Sequence, residues 1–390
     1  MTQAARLEVA ATLLDEIVSG APAEQVLTRW ARKSRYAGSR DRAAVRDLVF
    51  DVLRCKRSYG WCGGGDSGRA LMLGRLVSLG EDVDAVFTGA RHAPAAVTDE
   101  ERARLRDPAE APRAVRADIP DWLLPALDHS LGDQSDAILD GLRTRAPVVL
   151  RANPQKTTRQ ALSTRLTEAG FEAVEHPMAR WAIEVRGEPR GLSNHASYLD
   201  GWFELQDAAS QAAVEEIGGL VVGAQVLDFC AGGGGKSLAL AAQGAARITA
   251  HDVQPRRMRD IATRAARAGI EIETSTAPSG VFDVVVCDVP CSGSGAWRRQ
   301  PDAKWRLTPE RLDELYALQS GIVDTARAHV APGGYLVYMT CSLLRSENED
   351  QIAAAQLRHP DLNLLKSRRF TPVDGGDGFF VAVFGPAPSK

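Results

Sequence analysis

The sequence predicts an α/β protein whose C-terminal domain is a doubly wound parallel sheet, preceded by an all-helical domain and a small α/β domain. Two observations carry this. From about Val221 onward, apolar strand patterns (AQVLDF, ARITAHD, FDVVVCD, GYLVYMT) alternate with helical patterns opening near Gly235, Pro255 and Pro309, which is the order of a parallel sheet covered by helices. Before about residue 95, apolar residues instead recur at three- and four-residue spacing, as in LEVAATLLDEI and RDRAAVRDLVFDVLR, the period of amphipathic helices.

A chain of 390 residues is too long for one ordinary core, so several domains are expected. We place them at 1–120 (helical), 121–205 (small α/β) and 206–390 (catalytic). The stretch 92–120 is rich in Ala, Pro and charge and reads as a connecting segment. Between it and the large sheet, PVVLRAN, TTRQALSTRLTEAG and WAIEV give a strand, helix, strand order that is too small to be a catalytic core.

Composition narrows the class. The chain is 44% hydrophobic and 25% charged, with no apolar run long enough to span a bilayer. Its N-terminus, MTQAARLEVAATLLDEIVSG, lacks the basic n-region and long apolar core of a secretory signal, so a cytoplasmic protein is expected. Six cysteines, at 55, 62, 230, 287, 291 and 341, show no disulfide framework. The net charge of -3 conceals a basic stretch: residues 31–60 hold nine Lys/Arg against three Asp. Such a stretch either meets phosphate or is a solvated helix face.

The strand AQVLDF runs into Cys230-Ala231-Gly232-Gly233-Gly234-Gly235-Lys236-Ser237 and then a helix. Consecutive glycines let the backbone turn and approach a ligand where a helix presents free N–H groups. A P-loop would need glycine at Cys230, and a dehydrogenase fingerprint would need one at Ser237. The remaining reading is an adenosyl cofactor without a pyrophosphate, with Asp252 at the end of the next strand placed to accept ribose hydroxyls. A turn-forming glycine run that binds nothing is the bland alternative.

The strand FDVVVCD leads into Asp288-Val289-Pro290-Cys291, and GYLVYMT leads into Cys341. Ligands bind outside the carboxyl ends of such strands, so both thiols are expected to face one pocket. A lone cysteine there is more often a small buried hydrophobe; two at adjacent strand ends change the balance. The Cys287/Cys291 spacing resembles a metal-ligand pair, but Cys287 sits in an apolar strand and no further Cys or His pair follows, so no metal is expected. One chemistry needs these groups together. Carbon 5 of cytosine is a poor nucleophile until a thiolate adds to carbon 6, and a carboxyl group holding N3 and the amino group stabilises the charge that develops.

LDFCAGGGGKS, DVPCSGSG followed by RRQPDAKW, and TCSLLRSENED resemble the motifs of the Sun-type RNA 5-methylcytosine methyltransferases, in order and spacing. The resemblance runs from about Val221 to DGGDGFFVAVF, and more weakly through LRANPQKTTR and GWFELQDAASQ upstream. RYAGSRDRAAVRDLVFDVLR resembles the helical NusB-like domain of ribosomal RNA members of that family. It implies a Rossmann-like class I methyltransferase domain with Cys341 as nucleophile, Cys291 assisting product release and Asp288 contacting the base. It also implies that Cys230, Ala231, Gly232, Gly233, Gly234, Gly235, Lys236, Asp252 and Asp288 hold S-adenosyl-L-methionine. The expected partner is RNA, small-subunit ribosomal RNA first, met in part by Arg299 and Lys304 beside Asp302 and Trp305; a monomer is expected. A transfer-RNA enzyme and a non-catalytic ribosome-assembly factor are the alternatives. Two departures stand out: Gly232-Gly233 where the family has Ala-Pro, and Thr276 where it has an acid near the adenine.

Overall fold

A computed structural model describes residues 1–187 and 189–386. The chain forms two compact units, one of Met1–Arg145 with Trp297–Leu307 and one of Ala146–Ala296 with Thr308–Lys390.

The first unit is helical, as its periodicity predicts. Helices Gln3–Val18, Ala23–Lys33, Ser39–Arg54, Lys56–Gly63 and Gly68–Ser78 bury Leu7, Leu14, Val45, Val49, Val52, Leu71 and Leu76 in one core. Two of these helices meet backbone to backbone: a Cβ on Gly74 would lie 1.7 Å from the Tyr59 carbonyl oxygen, so only glycine permits the approach.

The stretch 92–120 is not a linker. It forms short turns of helix (Asp99–Arg104, Pro108–Glu110, Arg113–Arg116) whose Val97, Ala111, Val115 and Ile119 are buried. Asp118 is fully buried and accepts from Ser58 N (2.9 Å), Ser58 Oγ (2.8 Å) and Arg143 Nε (2.8 Å). Helices Leu124–Leu131 and Ser135–Arg143 belong to the same unit, so the helical unit extends to Arg145 rather than 120. Its last piece is Trp297–Leu307, which carries the helix Pro301–Arg306.

The second unit holds two sheets. The small one is antiparallel, in the order β2-β3-β1-β4, from β1 (Val148–Ala152), β2 (Glu172–Glu175), β3 (Ala182–Arg186) and β4 (Phe203–Leu205). Its helix Arg159–Glu168 starts at Thr158, whose hydroxyl accepts from Ala161 N.

The large sheet comprises β5 (Gln225–Asp228), β6 (Arg247–His251), β7 (Glu273–Ser275), β8 (Phe282–Asp288), β9 (Val330–Thr340), β10 (Asn363–Phe370) and β11 (Phe379–Gly385). Their order is β10-β11-β9-β8-β5-β6-β7, with β5 to β9 parallel and β10 and β11 antiparallel. β8 and β5 are central and buried on both faces, which is why FDVVVCD reads as a continuous apolar run. The order reverses beside β5 and β8, so a crevice opens at their carboxyl ends.

Candidate active site

The carboxyl ends of β5, β6, β8 and β9 deliver Asp228, Asp252, Asp288 and Thr340 to one edge of the sheet, each followed by a loop rather than a helix. The glycine loop lies between β5 and the helix Gly235–Ala242. Gly232 (φ 52°) and Gly234 (φ 80°) are left-handed, and a Cβ on Gly234 would come within 2.8 Å of Ile261 Cγ1. Glycine at 234 is therefore required by both backbone and space.

Asp252 is 2% exposed and clasps this loop: Oδ2 accepts from Gly232 N (3.0 Å) and pairs with Arg257 Nη1 (2.9 Å), and Oδ1 accepts from Gln254 N (2.9 Å). A carboxylate has about four lone-pair sites, so one on Oδ1 remains for a ribose hydroxyl, and exposed Arg257 must move to give a second. Asp228 is buried with Oδ2 accepting from Ser237 Oγ (2.6 Å), while Oδ1 has no hydrogen-bond partner among the described residues. Burial pushes its carboxyl up to about 6. The positive-φ glycines, the first turn of the helix and the Asp252 carboxylate fit an adenosyl group on this loop.

Lys236 Nζ lies 3.0 Å from Asp288 Oδ2 and 4.5 Å from the centre of the Phe379 ring. It thus reaches from the first turn of the helix after the glycine loop to the end of β8. Cys230 is a poor candidate for nucleophilic work, because burial and then the neighbouring Asp228, Asp288 and Asp252 carboxylates push its thiol well up. Cys287 faces the core within β8 and is fully buried.

Cys291 and Cys341 are each half-buried, and their sulfurs are 3.4 Å apart. The loops that carry them are held by Gly295 N donating to Cys341 O (3.0 Å) and by Leu343 N donating to Ser294 Oγ (2.8 Å). The Cys291 thiol is raised well above its ordinary value, first by its hydrogen bond to Cys341, then by burial and by the Cys341 and Glu347 charges. Raised in this way, Cys291 is the thiol that keeps its proton. Among the described residues, no three His, Cys, Asp or Glu side chains converge as metal ligands.

The expected RNA contacts fare differently. Lys304 is 1% exposed; its ammonium donates to Arg54 O (3.2 Å) and lies over the Trp305 ring (4.5 Å). Trp305 Nε1 donates to Leu53 O (2.6 Å). Both residues hold the Trp297–Leu307 segment in the helical unit, and Lys304 is not presented to a phosphate. The charged run RRQPDAKW gave no sign of this, because Asp118, the buried acid near Lys304, lies far away in sequence. Arg299 is half-buried in the same segment. Thr276, where the family has an acid, is exposed just beyond β7. Glu347, an acid of the TCSLLRSENED motif to which the sequence analysis gave no role, is fully buried.

Residues 220–384 match the model of the 16S rRNA methyltransferase RsmB/F family, and residues 119–189 match the ferredoxin-like domain of RsmF/B-like methyltransferases. The chain is 34% identical to the ribosomal RNA small subunit methyltransferase B of Erwinia tasmaniensis over 281 residues. That alignment covers 67% of this chain and 65% of the relative, just under two thirds of its length. Residues 220–384 thus belong to the RsmB/F methyltransferase family.

A second relative of the same name, from Pectobacterium carotovorum, is 29% identical over 89% of this chain and 91% of its own. Among solved structures, a methyltransferase homologue from Pyrococcus horikoshii superposes with a TM-score of 0.62 at 25% identity, covering 72% of this chain and all of that one. NSun6 from the same organism gives 0.61 at 16% identity, over 70% of this chain and 99% of that one, and shows the shared fold. This domain has the Rossmann-like fold of the S-adenosylmethionine-dependent methyltransferases, and S-adenosylmethionine is its cofactor. No described helix is long and apolar enough to cross a membrane.

Proposed function

We propose that this protein methylates carbon 5 of a cytosine in small-subunit ribosomal RNA through a covalent cysteine adduct. The observation that carries the reading is the pair of thiols 3.4 Å apart beyond the ends of adjacent strands, one of which, β8, ends in a carboxylate held by a lysine. When bound, S-adenosylmethionine supplies the electrophilic methyl group. Cys341 adds to carbon 6 of the base, and the electron pair moves toward N3 as carbon 5 becomes enamine-like. Asp288, oriented by Lys236, holds the N3 and amino edge where charge develops. After transfer the carbon-5 proton leaves to a base and Cys341 departs; Cys291, at hydrogen-bond distance from the leaving sulfur, supports that departure.

The names of the relatives support ribosomal RNA over transfer RNA as substrate. The helical unit, read as NusB-like, is proposed as the RNA-binding appendage, and the target cytosine as unpaired or flipped out. The test is to incubate the protein with radiolabelled S-adenosylmethionine and total RNA from a strain lacking it. Label in small-subunit ribosomal RNA at 5-methylcytosine is expected. Label only in transfer RNA would move the substrate, and no label would favour an assembly factor.

A further inference from the structure

The two cysteine loops share one buried carboxylate. Glu347, in the turn Arg345–Glu347 after β9, is fully buried. Its Oε1 accepts from Ser292 N (2.8 Å) and Gln319 Nε2 (3.0 Å), and its Oε2 from Ser292 Oγ (2.5 Å) and Ser342 Oγ (2.5 Å). Ser292 and Ser342 directly follow Cys291 and Cys341 in the chain. Ser294 Oγ lies a further 3.0 Å from Ser342 Oγ, and Tyr338 Oη donates to the Glu347 carbonyl (2.6 Å), fixing the turn itself.

A buried ionised carboxylate is costly unless it is paired or fully hydrogen-bonded. Among the described residues no Lys, Arg or His lies within ion-pairing distance of Glu347; four donors fill its four lone-pair sites instead. Three of those four donors come from the residues next to the two thiols. An apolar residue would fill this space without ordering either loop. From this geometry, and resting on the cytosine reading of the site, we infer that Glu347 is a positioning residue that locks the Cys291 and Cys341 loops together and keeps the two thiols chemically unequal.

The inequality follows from charge. A carboxylate beside Cys291 disfavours its thiolate, and Glu347 is among the groups that raise Cys291. Cys291 is thereby held in its protonated form.

The experiment is alkylation of the whole protein with iodoacetamide, without RNA, from pH 6.5 to 10, with each cysteine's rate read by mass spectrometry. In the native protein Cys341 is expected to react at lower pH than Cys291. Glu347→Gln removes the charge and sets an amide donor against the Ser292 N–H; the Cys291 midpoint should fall by at least half a pH unit and the Cys341-to-Cys291 rate ratio by at least fivefold. S-adenosylhomocysteine affinity within twofold of native reports that the fold is intact. A midpoint and ratio unchanged in such a folded variant overturn the inference, because a residue that only packs would not move the Cys291 midpoint. If Glu347→Gln does not fold, Ser292→Ala and Ser342→Ala, each cutting one tie, decide: a lowered ratio in either supports the inference, and native behaviour in both overturns it. Because no RNA enters the assay, absence of methylation on any RNA would defeat the cytosine reading and leave this measurement standing.

Discussion

Cys291 Sγ and Cys341 Sγ lie 3.4 Å apart although 50 residues separate them, so removing either thiol has a distinct outcome. Cys341→Ala is expected to form no covalent complex with substrate RNA. Cys291→Ala is expected to attack, methylate and stall as a protein–RNA adduct visible on a denaturing gel. An adduct that persists in Cys341→Ala and vanishes in Cys291→Ala would exchange the two roles.

Lys236 holds Asp288 at 3.0 Å from the far side of the crevice. Lys236→Met leaves that carboxylate without its cation and with a disturbed orientation. Single-turnover methylation should slow by roughly 10²–10³-fold, the range found when one group stabilising developing charge is lost. A rate within threefold of native would remove the pair from the chemistry.

Asp252→Ala should weaken S-adenosylhomocysteine binding by about 1–3 kcal/mol in calorimetry, through loss of a charged acceptor. The structure adds a second route to the same loss, because Asp252 also anchors Gly232 N and Gln254 N. Asp252→Asn keeps one carbonyl acceptor and should fall between alanine and native. Unchanged affinity in both variants would take Asp252 out of the site.

Lys304 gives a pH signature. Burial lowers its ammonium from 10.5 to about 8, against the pull of Asp118. Between those values the unfolded chain holds the proton and the folded chain has released it, so stability from this group rises with pH; below 8 the cost of burying the charge is felt in full. Relative to Lys304→Met, the native protein should gain on the order of 2 kcal/mol between pH 7.5 and 10 in denaturant unfolding, at 1.36 kcal/mol per unit. A difference that stays flat with pH would mean that the amine is solvated.

Of the basic helix residues, Arg46 pairs with Glu24 and Arg42 donates to Ser34 O, whereas Arg40 is exposed. Reversing Arg40, Arg42 and Arg46 together should therefore reduce the slope of log binding against log salt by about one rather than three. Filter binding across a salt series reads this directly. An unchanged slope would leave the face merely solvated.

The catalytic sheet was legible because β5, β6, β8 and β9 are apolar runs ending in chemically distinctive residues. β10 was not: most of its residues are exposed, and KSRRF reads as loop because an edge strand shows its charge to water. β7 is three residues long and exposed, too short to leave a pattern. The glycine loop and both thiols were readable from spacing, since their geometry is local to strand ends. Glu347 and Lys304 were not, because a charge in a polar run is assigned to the surface by default, and burial is decided by partners far off in the chain. The same cause misplaced residues 92–120: their few apolar side chains are spaced irregularly, yet Val97, Val115 and Ile119 are buried.

Trp297–Leu307 belongs to the unit begun by Met1–Arg145, so that unit is interrupted by residues 146–296. During synthesis it cannot be completed in its turn: the place filled by Lys304 and Trp305 stays vacant until most of the second unit has left the ribosome. The N-terminal helices must therefore persist for many seconds as an unfinished body with Asp118 lacking a neighbouring ammonium. A truncation at Arg145 would make that temporary state permanent, and the natural cut for an independent fragment is not where the sequence first suggests.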